Sequence, residues 1–163
     1  KVDPDDPRVI RMRTFSKAYG MAGARVGYAI GNPVLIAAFN KVRNHFGMNR
    51  AAQAGALAAL HDQKHLENTF AKVEIARNRI AQIAKENALT PIASATNFVS
   101  IDCGQDAAFA QRVLASLIAQ GLFVRMPFVA PQNRCIRISC GTDENLDLFS
   151  TALPKALGIA AKG

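Results

Sequence analysis

Between Thr14 and Arg25 the chain sets a single lysine, Lys17, among hydroxyl, aromatic and small residues, Thr-Phe-Ser-Lys-Ala-Tyr-Gly-Met-Ala-Gly-Ala-Arg. A lysine attacks a carbonyl only as the neutral amine, so a lysine used in this way needs a site that positions it and lets it shed its proton. Thr14 and Ser16 stand three and one positions before it and can donate hydroxyl hydrogen bonds. Arg25, eight positions after it, carries the planar fork that suits a phosphate dianion. Gly20, Gly23 and Gly27 let the backbone turn sharply or come close to a ligand.

Capture of an aldehyde at one end and of a phosphate at the other describes pyridoxal 5'-phosphate. From Thr14 to Gly23 the order is hydroxyl, aromatic, small, Lys, small, aromatic, small, two free positions, small. In this run the chain resembles the fold-type I pyridoxal-phosphate enzymes, specifically the class I/II aminotransferases of the histidinol-phosphate and aromatic group. The resemblance implies Lys17 as the Schiff-base lysine, Ser16 and Arg25 as phosphate ligands, and Thr14 as a further cofactor contact. It implies an α/β architecture, the type I fold of pyridoxal-phosphate-dependent transferases. The family's lysine falls past the middle of a chain more than twice as long, so these residues are expected to form its C-terminal half. Residues 1–62 would then end the large cofactor-binding domain, and residues 63–163 would form a small C-terminal α+β domain.

The same resemblance implies a homodimeric parent enzyme of amino-acid biosynthesis that exchanges an amino group between an amino acid and a 2-keto acid. The carboxylate for the pyridine nitrogen, the ring-stacking aromatic and the glycine-rich phosphate loop would lie outside these residues. Asp3, Asp5 and Asp6 are too close to Lys17 to supply that carboxylate and read as a solvated turn with Pro4 and Pro7. The isolated chain is therefore expected to be inactive. Two alternatives remain open: a threonine-phosphate-type decarboxylase, and a cofactor-binding sensor domain of a transcription regulator.

The composition narrows the partners. A net charge of +8 could serve nucleic acid, but the twenty basic residues are dispersed, with no run of five and no interleaved aromatics. No apolar run approaches a membrane span of about 20 residues, and the charged opening is not a signal peptide. Neither nucleic acid nor membrane is expected as a partner. The three cysteines, Cys103, Cys135 and Cys140, match no zinc spacing, and a reduced cytoplasmic protein is the simpler expectation. His61 and His65 share a helical spacing without the glutamate of a zincin and read as surface histidines, so no metal is expected.

The elements that must position the lysine are legible in outline. Residues 8–13 and 25–30 read as strands flanking it, and Pro33 opens a helix to about Val42. A small-residue helix is expected over 51–60, and a long amphipathic one over 64–87 through Leu66, Phe70, Val73, Ile80, Ile83 and Ala84. Then come a strand over 97–102, a helix capped by Asp106 and stopped by Gly121, strands over 122–126 and 135–139, and a helix capped by Thr142. Pro154 should kink or restart that last helix.

Two arginines stand out on these strands. Period-two alternation puts Ile136 and Ile138 on one face and Cys135, Arg137 and Ser139 on the other; likewise Phe123 and Arg125 oppose Leu122, Val124 and Met126. Arg137 and Arg125 are thus expected to converge from neighbouring strands, away from the core. In the family, an arginine in the pattern Arg-Ile-Ser-Cys-Gly, here residues 137–141, clamps the substrate carboxylate. The resemblance therefore implies Arg137 as carboxylate ligand, Arg125 as a contact to the substrate side chain, and Asn97 as a residue near the site.

Overall fold

The computed structural model describes residues 3–162, which divide between Phe70 and Ala71 into two compact units. The division falls within one helix, α3 (Gln63–Glu86).

In the first unit β1 (Ile10–Thr14) and β2 (Gly27–Gly31) pair antiparallel, with Thr14 opposite Gly27 and Ile10 opposite Gly31. Gly27 is required there, because a Cβ on it would come 2.6 Å from the Arg13 carbonyl oxygen. The lysine loop lies between these strands. Pro33 occupies the first turn of α1 (Pro33–Val42), where its missing N–H costs nothing, and the Asn32 side chain accepts the Val34 N–H. Asn49 caps α2 (Arg50–His61) in the same way through Ala52 N. The alanines of α2 serve close packing: Ala52 and Ala56 join Phe15 and Val26 in a small core against Tyr19, Met21, Ala24 and Ala59.

The second unit has a three-stranded antiparallel sheet, β3 (Thr90–Pro91), β4 (Phe98–Asp102) and β5 (Cys135–Ser139), in that order. Val99, Ile101, Ile136 and Ile138 bury one face with α3, α4 (Ala107–Ala119) and α5 (Asp143–Ala160) in one core. The period-two pattern of the sequence thus decides which sheet face is covered. The helical stripe of α3 is buried from Ala76 onward, through Ile80, Ile83 and Ala84. Leu66 and Val73 are only half-buried, and Phe70 is exposed.

Two sequence expectations are corrected. Residues 122–126 do not form a strand but a single bridge between Arg125 and Arg137. Leu122 N–H is drawn back to Leu117 O at 3.0 Å and Gly121 N–H to Ile118 O at 2.9 Å, closing α4 with Gly121 in the left-handed region. Pro127 has no N–H to extend the ladder at the other end. The side-chain alternation survives, with Val124 buried and Phe123 and Arg125 exposed. Of the two outcomes expected at Pro154, a kink or a restart, the restart does not occur: α5 runs unbroken from Asp143 to Ala160. Pro154 itself is exposed, and the helix is held on its other side by buried Leu153 and Ala156. Cys135 lies, as expected, on the sheet face opposite the isoleucines, and it is buried there. It begins β5 opposite Asp102, beside the ion pair of Asp102 with Arg134 at 2.8 Å.

Candidate functional site

The lysine loop is built by its backbone. Phe15 N–H donates to Val26 O at 3.2 Å and Met21 N–H to Phe15 O at 3.0 Å, so the loop closes on itself around Phe15. The Phe15 ring is buried, with the Tyr19 and Tyr28 rings at 4.8 and 5.7 Å. That aromatic anchor holds down the residue two places before Lys17. Lys17 itself is exposed, and Gly20, with φ at +67°, returns its N–H to Lys17 O at 2.9 Å. Among the described residues no hydrogen bond or ion pair engages the Lys17 amine, which leaves it open to a ligand.

The hydroxyls are linked in series. Thr14 Oγ1 donates to Ser16 Oγ at 2.9 Å and accepts the Ser16 N–H at 3.1 Å. The Thr14 proton is thereby spent on Ser16, and the Ser16 hydroxyl keeps its own proton for an anion. Arg25 follows a 3-10 turn over Ala22–Ala24 and adopts φ 52°, the left-handed region. For a residue with a side chain this costs about 1–2 kcal/mol. Its guanidinium donates to Ala22 O at 2.7 Å, which orients it and leaves its other N–H groups available. The sequence gives no sign of this conformation; a strained residue of this kind is a marker of function only once seen. A primary amine, a hydroxyl relay and a guanidinium within one closed loop form a donor set that fits an aldehyde bearing a phosphate.

A second group lies on the β4–β5 sheet. Arg125 and Arg137 exchange both backbone hydrogen bonds, at 3.3 and 2.6 Å, so their side chains leave the same face. The expectation that they neighbour each other is met by one bridge rather than by two strands. Arg137 Cζ lies 4.8 Å from the Phe98 ring centroid and Arg125 Cζ 5.6 Å from that of Phe123. Among the described residues no carboxylate pairs with either guanidinium. Asn97 is exposed at the start of β4, where its carbonyl accepts the Cys140 N–H at 2.9 Å. The aromatic platform under each arginine is a feature the sequence reading missed. The strand register, which sets Phe98 diagonal to Arg137, is the signal that could have found it.

Comparisons with known proteins speak to the family and the fold. The family model for aminotransferase class I and II matches residues 1–153, and the chain belongs to that family. It is 52% identical, with a TM-score of 0.90, to the histidinol-phosphate aminotransferase of Sinorhizobium meliloti crystallised with pyridoxal-5'-phosphate, covering 94% of this chain and 42% of that one. It is 35% identical over 151 residues to histidinol-phosphate aminotransferase 1 of Cupriavidus pinatubonensis, covering 93% of this chain and 40% of the relative. With histidinol-phosphate aminotransferase 2 of a Haemophilus influenzae strain the identity is 37% over 152 residues, covering 93% and 41%. The fold is accordingly the type I fold of pyridoxal-phosphate-dependent transferases, over the part that the chain spans. The chain covers about two fifths of the length of these relatives.

Proposed function

We propose that the protein carrying this chain is a pyridoxal-phosphate-dependent aminotransferase of the histidinol-phosphate and aromatic amino acid type. Residues 1–62 contribute the end of its cofactor-binding domain, and residues 63–163 its small domain. The observation that carries this reading is the closed loop in which Lys17 is open beside the Thr14–Ser16 relay and the left-handed Arg25. When bound, the cofactor supplies the electron sink that weakens the bonds at the amino acid's α-carbon.

Each residue has a distinct task. Lys17 Nζ is the amine that would hold the cofactor, and it would carry the α-proton of the substrate. Ser16 would donate its hydroxyl to the cofactor phosphate, Thr14 fixes the direction of that hydroxyl, and Arg25 would neutralise the phosphate charge. Arg137 binds the planar carboxylate that amino acid and 2-keto acid have in common, with a bidentate geometry a lysine cannot copy. Arg125 takes up an anionic group on the substrate side chain, and Asn97 contributes near the site. The protein acts as a cytoplasmic homodimer on small amino and keto acids.

The test is amino-group transfer by the full-length protein, followed as keto acid formed. Lys17→Ala is expected to lower kcat by at least about 10³-fold, the loss of a covalent anchor and a proton carrier together. Retention of most of the activity in that variant would remove Lys17 from the mechanism.

A further inference from the structure

The contact between Arg137 and Phe98 has a consequence for substrate binding. In the β4–β5 register Ser100 lies opposite Arg137 and Phe98 opposite Ser139, so Phe98 is the diagonal neighbour of Arg137 on the sheet face opposite the isoleucines. Diagonal pairs are within reach of an aromatic ring and a long side chain. A guanidinium that must bind a ligand can be held in two ways. An acid or a carbonyl would hold it by consuming its N–H donors and would compete with the ligand; an aromatic face attracts the cation and consumes none. Arg137 is held in the second way, its Cζ 4.8 Å from the Phe98 centroid. Arg79 and Arg134, by contrast, are both committed to aspartates.

We propose that Phe98 is the positioning residue for Arg137: its ring supports the guanidinium while leaving the in-plane N–H edges free for a carboxylate. This rests on the reading of Arg137 as the carboxylate ligand. Phe98 is suited to the task because it is half-buried and fixed in a paired strand. Phe123, under Arg125, is 80% exposed and stands outside any strand. The two arginines therefore differ: Arg137 rests on a fixed platform, Arg125 on a solvated one.

The experiment uses the full-length, cofactor-loaded protein with phenylalanines of increasing ring fluorination at position 98, which weaken the ring's attraction for a cation while nearly keeping its shape. Three quantities are read: the dissociation constant of the unreactive dicarboxylate glutarate by calorimetry, KM and kcat for the keto acid, and the melting temperature. The dissociation constant and KM should rise in step with fluorination, reaching about 3- to 10-fold, with kcat and melting temperature unchanged. Phe98→Tyr should behave as the wild type. Arg137→Lys should weaken glutarate at least about tenfold and abolish the dependence on the ring. Glutarate binding that ignores fluorination while Arg137→Lys weakens it overturns the role of Phe98 alone. Glutarate binding unchanged in Arg137→Lys overturns the carboxylate reading, and this inference with it.

Discussion

The two units are held together by different means. The second unit has a continuous core around Ile80, Ile101, Val113, Leu117, Ile136, Phe149 and Leu153, fed by every one of its major elements. Among the described residues the first has only Phe15, Val26, Ala52 and Ala56 buried in its core, and all five residues of β1 are exposed. Met12, Val34, Val42 and Phe46 are among its apolar side chains left in solvent. Burial follows apolar area, so the second unit draws its stability from packing, whereas the lysine loop draws its shape from backbone hydrogen bonds around one aromatic ring. The loop proposed to do the chemistry thus sits on the unit with the smaller core.

That difference can be broken most forcefully in the larger core. Phe149→Ala, at a side chain 1% exposed, should cost about 3–5 kcal/mol by denaturant unfolding while leaving the spectrum of bound cofactor intact in the protein that remains folded. Phe15→Ala should cost less, about 3 kcal/mol at the lower end of such losses, because fewer neighbours surround the ring. It should nevertheless abolish cofactor binding at concentrations that saturate the wild type. Equal effects of the two substitutions on cofactor affinity would erase the contrast between the units.

Smaller perturbations sharpen it. Thr14→Val removes the first hydroxyl of the relay and should weaken pyridoxal phosphate about tenfold in a fluorescence titration, with no change in melting temperature. In the second unit, burial pushes the Cys103 thiol from its ordinary value of 9.0 up to about 11. Between these values the unfolded chain has released a proton that the folded one retains, so stability should fall as pH rises from about 9 to 11. Below pH 9 the thiol is neutral in both states and contributes no slope. Cys103→Ala should flatten that decline, measured by urea unfolding at a series of pH values. Smallest of all, Asp147→Asn should leave the melting temperature within error, since its ion pair with Arg79 is solvated.

The sequence was most legible where one local rule decides the structure. Asn32 and Pro33 open α1, Asp106 caps α4 by accepting the Phe109 N–H at 2.8 Å, and strict alternation gives β5 its boundaries. It misled where two rules compete. Residues 122–126 alternate like a strand, yet the helix end at Gly121 claims Leu122 and Pro127 removes a donor, so only Arg125 pairs. Pro154 does not restart its helix, because the buried side of α5 carries the helix through it. At the site, residue types and spacing gave the donors, while their orientation depends on tertiary contacts. The left-handed Arg25 and the platform of Phe98 under Arg137 belong to this second kind of information.

The central claim is that Lys17 is the amine that carries the cofactor. The full-length protein saturated with pyridoxal phosphate, reduced with borohydride and digested, should yield one tagged peptide with the added mass on Lys17. A tag confined to any other lysine, or no tag at all, would contradict the account.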